Sequence, residues 1–152
     1  MSQENIDIAR RVLDAYSRRD IAALRALHHP DLEFDWSASR GSLAGVYRGI
    51  DEAFRFYTEY YEAFETTVVV ADRFIDTGDF VVVPNVAYQR GREGIEVSAR
   101  STLVYTVHDR QVTRVCLYQE LDQALAAVGL TEEAMSGGVH DPRPGRAYAA
   151  GG

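Results

Sequence analysis

The stretch Val112-Thr113-Arg114-Val115-Cys116-Leu117-Tyr118-Gln119-Glu120, followed by Leu121-Asp122-Gln123-Ala124-Leu125-Ala126-Ala127-Val128-Gly129-Leu130, decides the architecture. Its first part alternates apolar and polar residues, the period of a strand with one buried face. Its second part is a short Ala/Leu run stopped by glycine, the signature of a brief helix. A carboxylate, Glu120, stands at the junction.

Upstream, the period of two recurs over 67–76, 80–89 and 95–107, so 111–119 is the last of four antiparallel strands. Thr77-Gly78, the segment 91–94 and Asp109-Arg110 supply the turns between them. Before residue 66 the period is helical. Ile6, Ala9, Leu13 and Tyr16 make one stripe, with Arg10, Arg11 and Asp14 opposite. Asp20 caps a second helix carrying Ile21, Leu24 and Leu27, which Pro30 ends. Gly49 opens a third, with Asp51 and Glu52 in its first turn and a stripe of Ala53, Phe54, Tyr57, Tyr61 and Phe64. Between helices two and three, Leu32, Phe34 and Trp36 alternate as a short strand, and 37–47 reads as a loop. Helices followed by a strand meander make an α+β domain, three helices packed on a curved mixed sheet, over residues 1–130. Residues 131–152, rich in Gly and Pro, read as a separate tail.

Composition narrows the function. A net charge of −7 argues against nucleic acid and anionic membrane surfaces as partners. The single cysteine, Cys116, rules out an internal disulfide. Residues 1–5 lack a basic, apolar leader and no apolar run is long enough to span a bilayer, so the expected location is cytoplasmic. Phosphate loops, Gly-x-Ser-x-Gly and Cys-x-x-Cys are missing. No cofactor is expected. His28-His29-Pro30-Asp31 could be read as metal ligands, but adjacent histidines diverge, and two histidines at a helix C-terminus are the simpler reading.

Turn lengths give a working register. A two-residue turn at Asp109-Arg110 sets His108 opposite Gln111 and Arg100 beside Gln119. A four-residue loop at 91–94 sets Arg90 opposite Ile95 and Asn85 opposite Arg100. One face then carries Val83, Asn85, Ala87, Arg100, Thr102, Val104, Val115, Leu117 and Gln119, and the other Tyr105, Arg114, Cys116 and Tyr118. The first, more apolar, faces the helices. An inward Arg100 must be paired, with Asn85, Gln119 or Glu120 as partners. A one-residue bulge would reverse part of this pattern.

Taken with the two N-terminal helices and Tyr47-Arg48-Gly49-Ile50-Asp51-Glu52-Ala53-Phe54, the chain resembles the SnoaL-like branch of the NTF2-like superfamily over roughly residues 5–130. The resemblance implies a cone whose mouth holds a small hydrophobic molecule. In SnoaL-like polyketide cyclases an aspartate ends the last strand and acts as acid/base, and that place falls on Glu120. The position of the ketosteroid isomerase base holds Trp36, with Asp35 one residue off, whereas Tyr57 matches a pocket tyrosine of those isomerases. Limonene epoxide hydrolases carry Arg-x-Asp where this chain has Arg100-Ser101-Thr102, which argues against that chemistry.

The expectation is therefore a cofactor-independent cyclase or isomerase in which Glu120 moves the proton and Arg100 and Asn85 hold a developing enolate oxygen. Trp36, Tyr57, Thr102, Leu117 and Gln119 would line the pocket. The alternative is a binding or accessory protein without catalysis. A homodimer through the outer sheet face is expected, since an apolar sheet face is rarely left in water.

Overall fold

A computed structural model describes residues 2–130; the tail expected over 131–152 lies outside the described residues. Helix α1 (Ser2–Arg18) buries Ile8, Ala9, Val12, Leu13 and Ala15 along one stripe. Arg19 reverses the chain in a left-handed conformation, φ 59°, and Asp20 caps α2 (Ile21–Leu27) by accepting the Ala23 N–H at 3.1 Å. Strands β1 (His28–Asp35) and β2 (Val46–Arg48) lead to α3 (Ile50–Ala63). Then come β3 (Phe64–Ala71), β4 (Ile75–Asp76), β5 (Phe80–Gly91), β6 (Glu96–His108), β7 (Gln111–Tyr118) and α4 (Leu121–Ala127). Arg19 also ties the corner together. Its guanidinium donates to the carbonyls of Tyr61 at 3.0 Å, Phe64 at 2.7 Å and Glu65 at 3.0 Å, where the end of α3 would otherwise leave acceptors unpaired.

The sheet runs β2-β1-β7-β6-β5-β3, with β4 pairing the other end of β5. Every pair is antiparallel except β1 with β7, so the sheet is mixed, as expected. The stretch 67–76, read as one strand, is two. The chain breaks at 72–74, where the Asp72 N–H donates to the Pro84 carbonyl at 2.8 Å, and β3 and β4 take opposite ends of β5. That break helps the sheet curve around α1 and α3. Phe64 opens β3 rather than ending the α3 stripe, and Phe56 joins the stripe instead. Helix α4 covers Ile75, Val82 and Val104 on the outer face, forming a second, smaller core.

The register of β6 differs from the expectation, and the cause is two one-residue offsets. At the β5–β6 hairpin Arg90 lies opposite Glu96, not Ile95. The Gly91 N–H donates to the Ile95 carbonyl at 2.7 Å, and Gly94, at φ 85°, closes the turn. Asn85 therefore faces Ser101. On the other side, Asp109 and Arg110 do form the two-residue turn, both with positive φ, and His108 does pair with Gln111. A bulge at Thr113 then shifts the ladder, so Tyr105 meets Val115 and Thr102 meets Tyr118. β5 and β7 keep their expected inner residues while β6 alone is turned over. Ser101, Leu103 and Tyr105 point into the cone; Arg100, Thr102 and Val104 point out.

Candidate functional site

Between α1, α3 and the inner sheet face lies a cavity of about 540 Å³ of empty space, counted out to its open mouth. Only about 60 Å³ of that is within reach of a water-sized sphere, so the enclosed part is narrow. One wall is aromatic. Phe34 on β1 stacks on Trp36 just beyond it, with centroids 4.9 Å apart and planes 25° from parallel. Phe56 of α3 packs against Phe34 at 4.8 Å, Trp36 at 5.2 Å and Tyr60 at 5.2 Å. Rings held this closely on a strand and a helix brace each other, so the wall is rigid before anything binds.

The opposite wall is the sheet: Asn85, Ala87 and Gln89 from β5, Ser101, Leu103 and Tyr105 from β6, and Val115 from β7. Asn85 is 2% exposed, and its amide donates to the Val83 carbonyl at 3.0 Å and accepts from Ser101 Oγ at 3.3 Å. These two bonds fix the amide's orientation.

Besides Tyr60, three tyrosines from three elements converge on the cavity: Tyr16 of α1, Tyr57 of α3 and Tyr105 of β6. Burial pushes all three phenols well up from their ordinary range, and each is raised further by the nearness of other phenols. Tyr61, whose hydroxyl donates to the Tyr16 carbonyl at 2.7 Å, is also pushed up, to about 12. Near neutral pH these groups are uncharged hydrogen-bond donors. Among the described residues that line the cavity there is no carboxylate, imidazole, amine or guanidinium.

Three of the eight sequence-predicted site residues meet here: Trp36, Tyr57 and Asn85. The other five stand elsewhere. Arg100, expected inside, lies on the outer face and pairs with Asp72 at 3.0 Å, its side chain 55% exposed, because the β6 register is shifted. Thr102 is buried on that outer face for the same reason. Leu117 does face inward, but within the packed core rather than on the cavity wall. Gln119 follows β7 and donates to the Ala38 carbonyl at 2.8 Å, bracing the loop before β2. Glu120 is exposed at the N-cap of α4, where its backbone N–H donates to Gln123 Oε1 at 3.2 Å. Glu120 and Arg100 do not share the cavity. Among the wall residues that sequence reasoning missed are Tyr16, Phe56, Tyr60, Ser101 and Tyr105. Tyr16 reads as an ordinary core position of helix one, and Tyr105 fell on the wrong face with the rest of β6.

His28 lies behind the aromatic wall, 1% exposed and edge-on to Phe54 and Tyr57 at 6.0 and 6.2 Å. Its Nδ1 bonds the Leu24 carbonyl at 2.6 Å, so Nδ1 carries the proton and Nε2, without a partner, is a bare acceptor. No group of histidine, cysteine, aspartate or glutamate among the described residues is arranged to hold a metal ion. Burial holds the His28 imidazole below its ordinary pKa. Below about pH 6.5 the unfolded chain therefore takes up a proton that the folded chain refuses. Stability is expected to be full above that pH and to fall as the medium is acidified. The urea midpoint should be lower at pH 5.5 than at pH 7.5, and His28→Gln should shrink that difference. An unchanged pH dependence in the variant would remove His28 as its source.

The chain belongs to the SnoaL-like domain family, whose model matches residues 9–115. That match stops short of Glu120. An uncharacterised protein of Mycobacterium tuberculosis is 27% identical over 112 residues, covering 73% of this chain and 85% of its own length. Among solved structures, an NTF2-like protein of unknown function from Burkholderia pseudomallei superposes with a TM-score of 0.68 at 19% identity, covering 83% of this chain and 98% of that one. TerC, co-crystallised with polyporic acid, superposes with a TM-score of 0.68 at 21% identity, covering 85% and 98%. At these identities the likeness is one of fold. The expected NTF2-like cone is the fold of this chain. No helix among the described residues is long and apolar enough to cross a membrane.

Proposed function

We propose that this protein binds a small, flat, largely apolar molecule in the cone, and that neutral tyrosine hydroxyls donate to an oxygen at the molecule's buried end. The observation that carries the reading is the make-up of the cavity: a braced aromatic wall, three uncharged phenols, one oriented amide and no ionic side chain. A flat ring system gains stacking from Phe34, Trp36 and Phe56, and an acceptor oxygen takes a hydrogen bond from a neutral phenol. TerC, which shares the fold, supports the class of ligand.

Binding without catalysis is the reading favoured over cyclase or isomerase chemistry. Such chemistry needs a proton acceptor at the ligand. Of the expected trio, Asn85 is on the wall, while Glu120 and Arg100 would have to act from outside it. A cytoplasmic location remains part of this proposal. So does a second copy on the outer sheet, but α4 takes much of that face and Tyr105 has left it. What remains there is Val68, Val70 and Tyr88, which are 41%, 48% and 50% exposed.

Trp36, the single tryptophan, reports on the cavity directly. Titration with 1-naphthol or a fused-ring aromatic ketone should quench its emission saturably. Tyr57→Phe should weaken that binding by about fivefold, the worth of one neutral hydrogen bond of about 1 kcal/mol. Saturable binding of neither probe would defeat the proposal.

A further inference from the structure

The polar pair in the sheet wall has a fixed polarity, set by a backbone carbonyl. Asn85 and Ser101 share one rung of the β5–β6 ladder, and both line the cavity. The Val83 carbonyl, which can only accept, takes the Asn85 side-chain N–H at 3.0 Å. Turning the amide over would set two oxygens against each other, so the nitrogen stays on that side and Oδ1 meets Ser101. Oδ1 is also an acceptor only. The Ser101 hydroxyl therefore commits its single proton to Oδ1, at 3.3 Å. What remains of Ser101 Oγ is lone pairs, and no group among the described residues donates to them.

We infer that Ser101 Oγ is a specificity-determining acceptor, selecting ligands that carry a hydroxyl or N–H at this point of the cavity over those with a carbonyl or ether oxygen there. The inference rests on the cone being the ligand site, as proposed above, and adds a second polar point to it. The two points ask for opposite chemistry. A neutral phenol at the tyrosine end gives a proton to an acceptor oxygen, whereas Ser101 needs a proton given to it. They are also separate in space: Ser101 lies on the Asn85 rung, and Tyr105 four residues further along β6, on the Val81 rung.

The surroundings sharpen the choice. On the cone side the next residues along the two strands are Ala87 and Leu103, both apolar and both part of the wall. No charged side chain among the described lining residues overrides a local preference. A ligand donor satisfies Oγ, while an ether or carbonyl brings its own lone pairs against it and must give up bonds to water to do so. Sites that hydrogen-bond a ligand group in this way discriminate more strongly than apolar ones of the same shape.

9-Fluorenone, its 2-, 3- and 4-hydroxy derivatives and their methyl ethers test the assignment, each followed by quenching of Trp36. The ring ketone is common to all and serves the tyrosine end. At least one hydroxy isomer should bind about fivefold tighter than fluorenone, and its methyl ether no tighter than fluorenone. Ser101→Thr and Ser101→Val place the same shape in the wall and differ only in the hydroxyl. The preference should persist in the first and vanish in the second. Thermal melting of both variants guards against misfolding, since Ser101→Val leaves the buried Asn85 Oδ1 without its donor. Should that variant not fold, Ser101→Ala carries the same expectation. Saturable binding of fluorenone with no gain from any hydroxyl overturns this inference and leaves ligand binding in the cone standing. A gain that survives in Ser101→Val overturns it too, and assigns the hydroxyl to the tyrosines or Gln89. Methyl ethers that bind as tightly as the hydroxy compounds overturn the need for a donor. Binding by none of the set overturns it together with the proposed function.

Discussion

Replacing Phe34 with alanine is expected to lower stability by about 4 kcal/mol, mid-range for removal of a buried aromatic ring. Phe34 is 2% exposed and lies opposite Val115 on the parallel β1–β7 rung. Its ring touches those of Trp36, Phe56, Tyr57 and Tyr47. Deleting it removes the one ring shared by those four contacts, and neither strand nor helix can move in to fill the space. The loss would also open the packed core into the cavity, so Trp36 should lose its stacking partner and its emission should move to the red. Urea unfolding followed by both circular dichroism and Trp36 fluorescence measures the two effects together. A loss below about 1.5 kcal/mol would mean that the wall collapses around the gap and is not a preformed surface.

The largest effect on binding is expected from Ala87→Trp. Ala87 is a small, half-buried residue on the sheet wall, across from the aromatic wall. An indole projecting from that position would occupy the space a flat ligand needs. Affinity for a probe that saturates the wild-type protein should fall by about 100-fold, near 2.7 kcal/mol. Stability should hold or rise, because the added ring fills empty volume against other aromatics rather than displacing packed atoms. Loss of binding together with a lower melting temperature would point to distortion of β5, and binding that survives would place the ligand outside the cone.

The contrast between Tyr57 and Tyr105 shows how much of the site was legible. Tyr57 was placed correctly because the helical stripe of 53–61 has a single solution for which side is buried, whatever the rest of the chain does. Tyr105 was misplaced although its strand was drawn with nearly the right ends. In a strand every residue is inner or outer according to a parity, and parity is carried across a hairpin by the turn. The extra rung at Gly91 and the bulge at Thr113 each change the count by one, and neither has a sequence signature as strong as the Asp109-Arg110 turn. Arg100 and Thr102 went out, and Ser101 and Tyr105 came in, as one consequence. Glu120, expected to end the last strand, stands two residues beyond it at the N-cap of α4. Its distance from the cavity depended instead on which way α4 folds, over the outer face and not across the mouth.

Local patterning by itself determined the α+β class, the order of the main helices and strands, and the apolar stripes of α1 and α3. Those features depend on periodicity and turn chemistry within a dozen residues, where the physics is local. Tertiary structure alone decided which residues of β6 meet the ligand space, that Arg100 pairs with Asp72 in solvent, and that three tyrosines distant in sequence share one cavity. Those outcomes rest on long-range register and on how the sheet curves around the helices. A shift of one residue costs little in any local interaction, yet it turns a whole strand face from core to water.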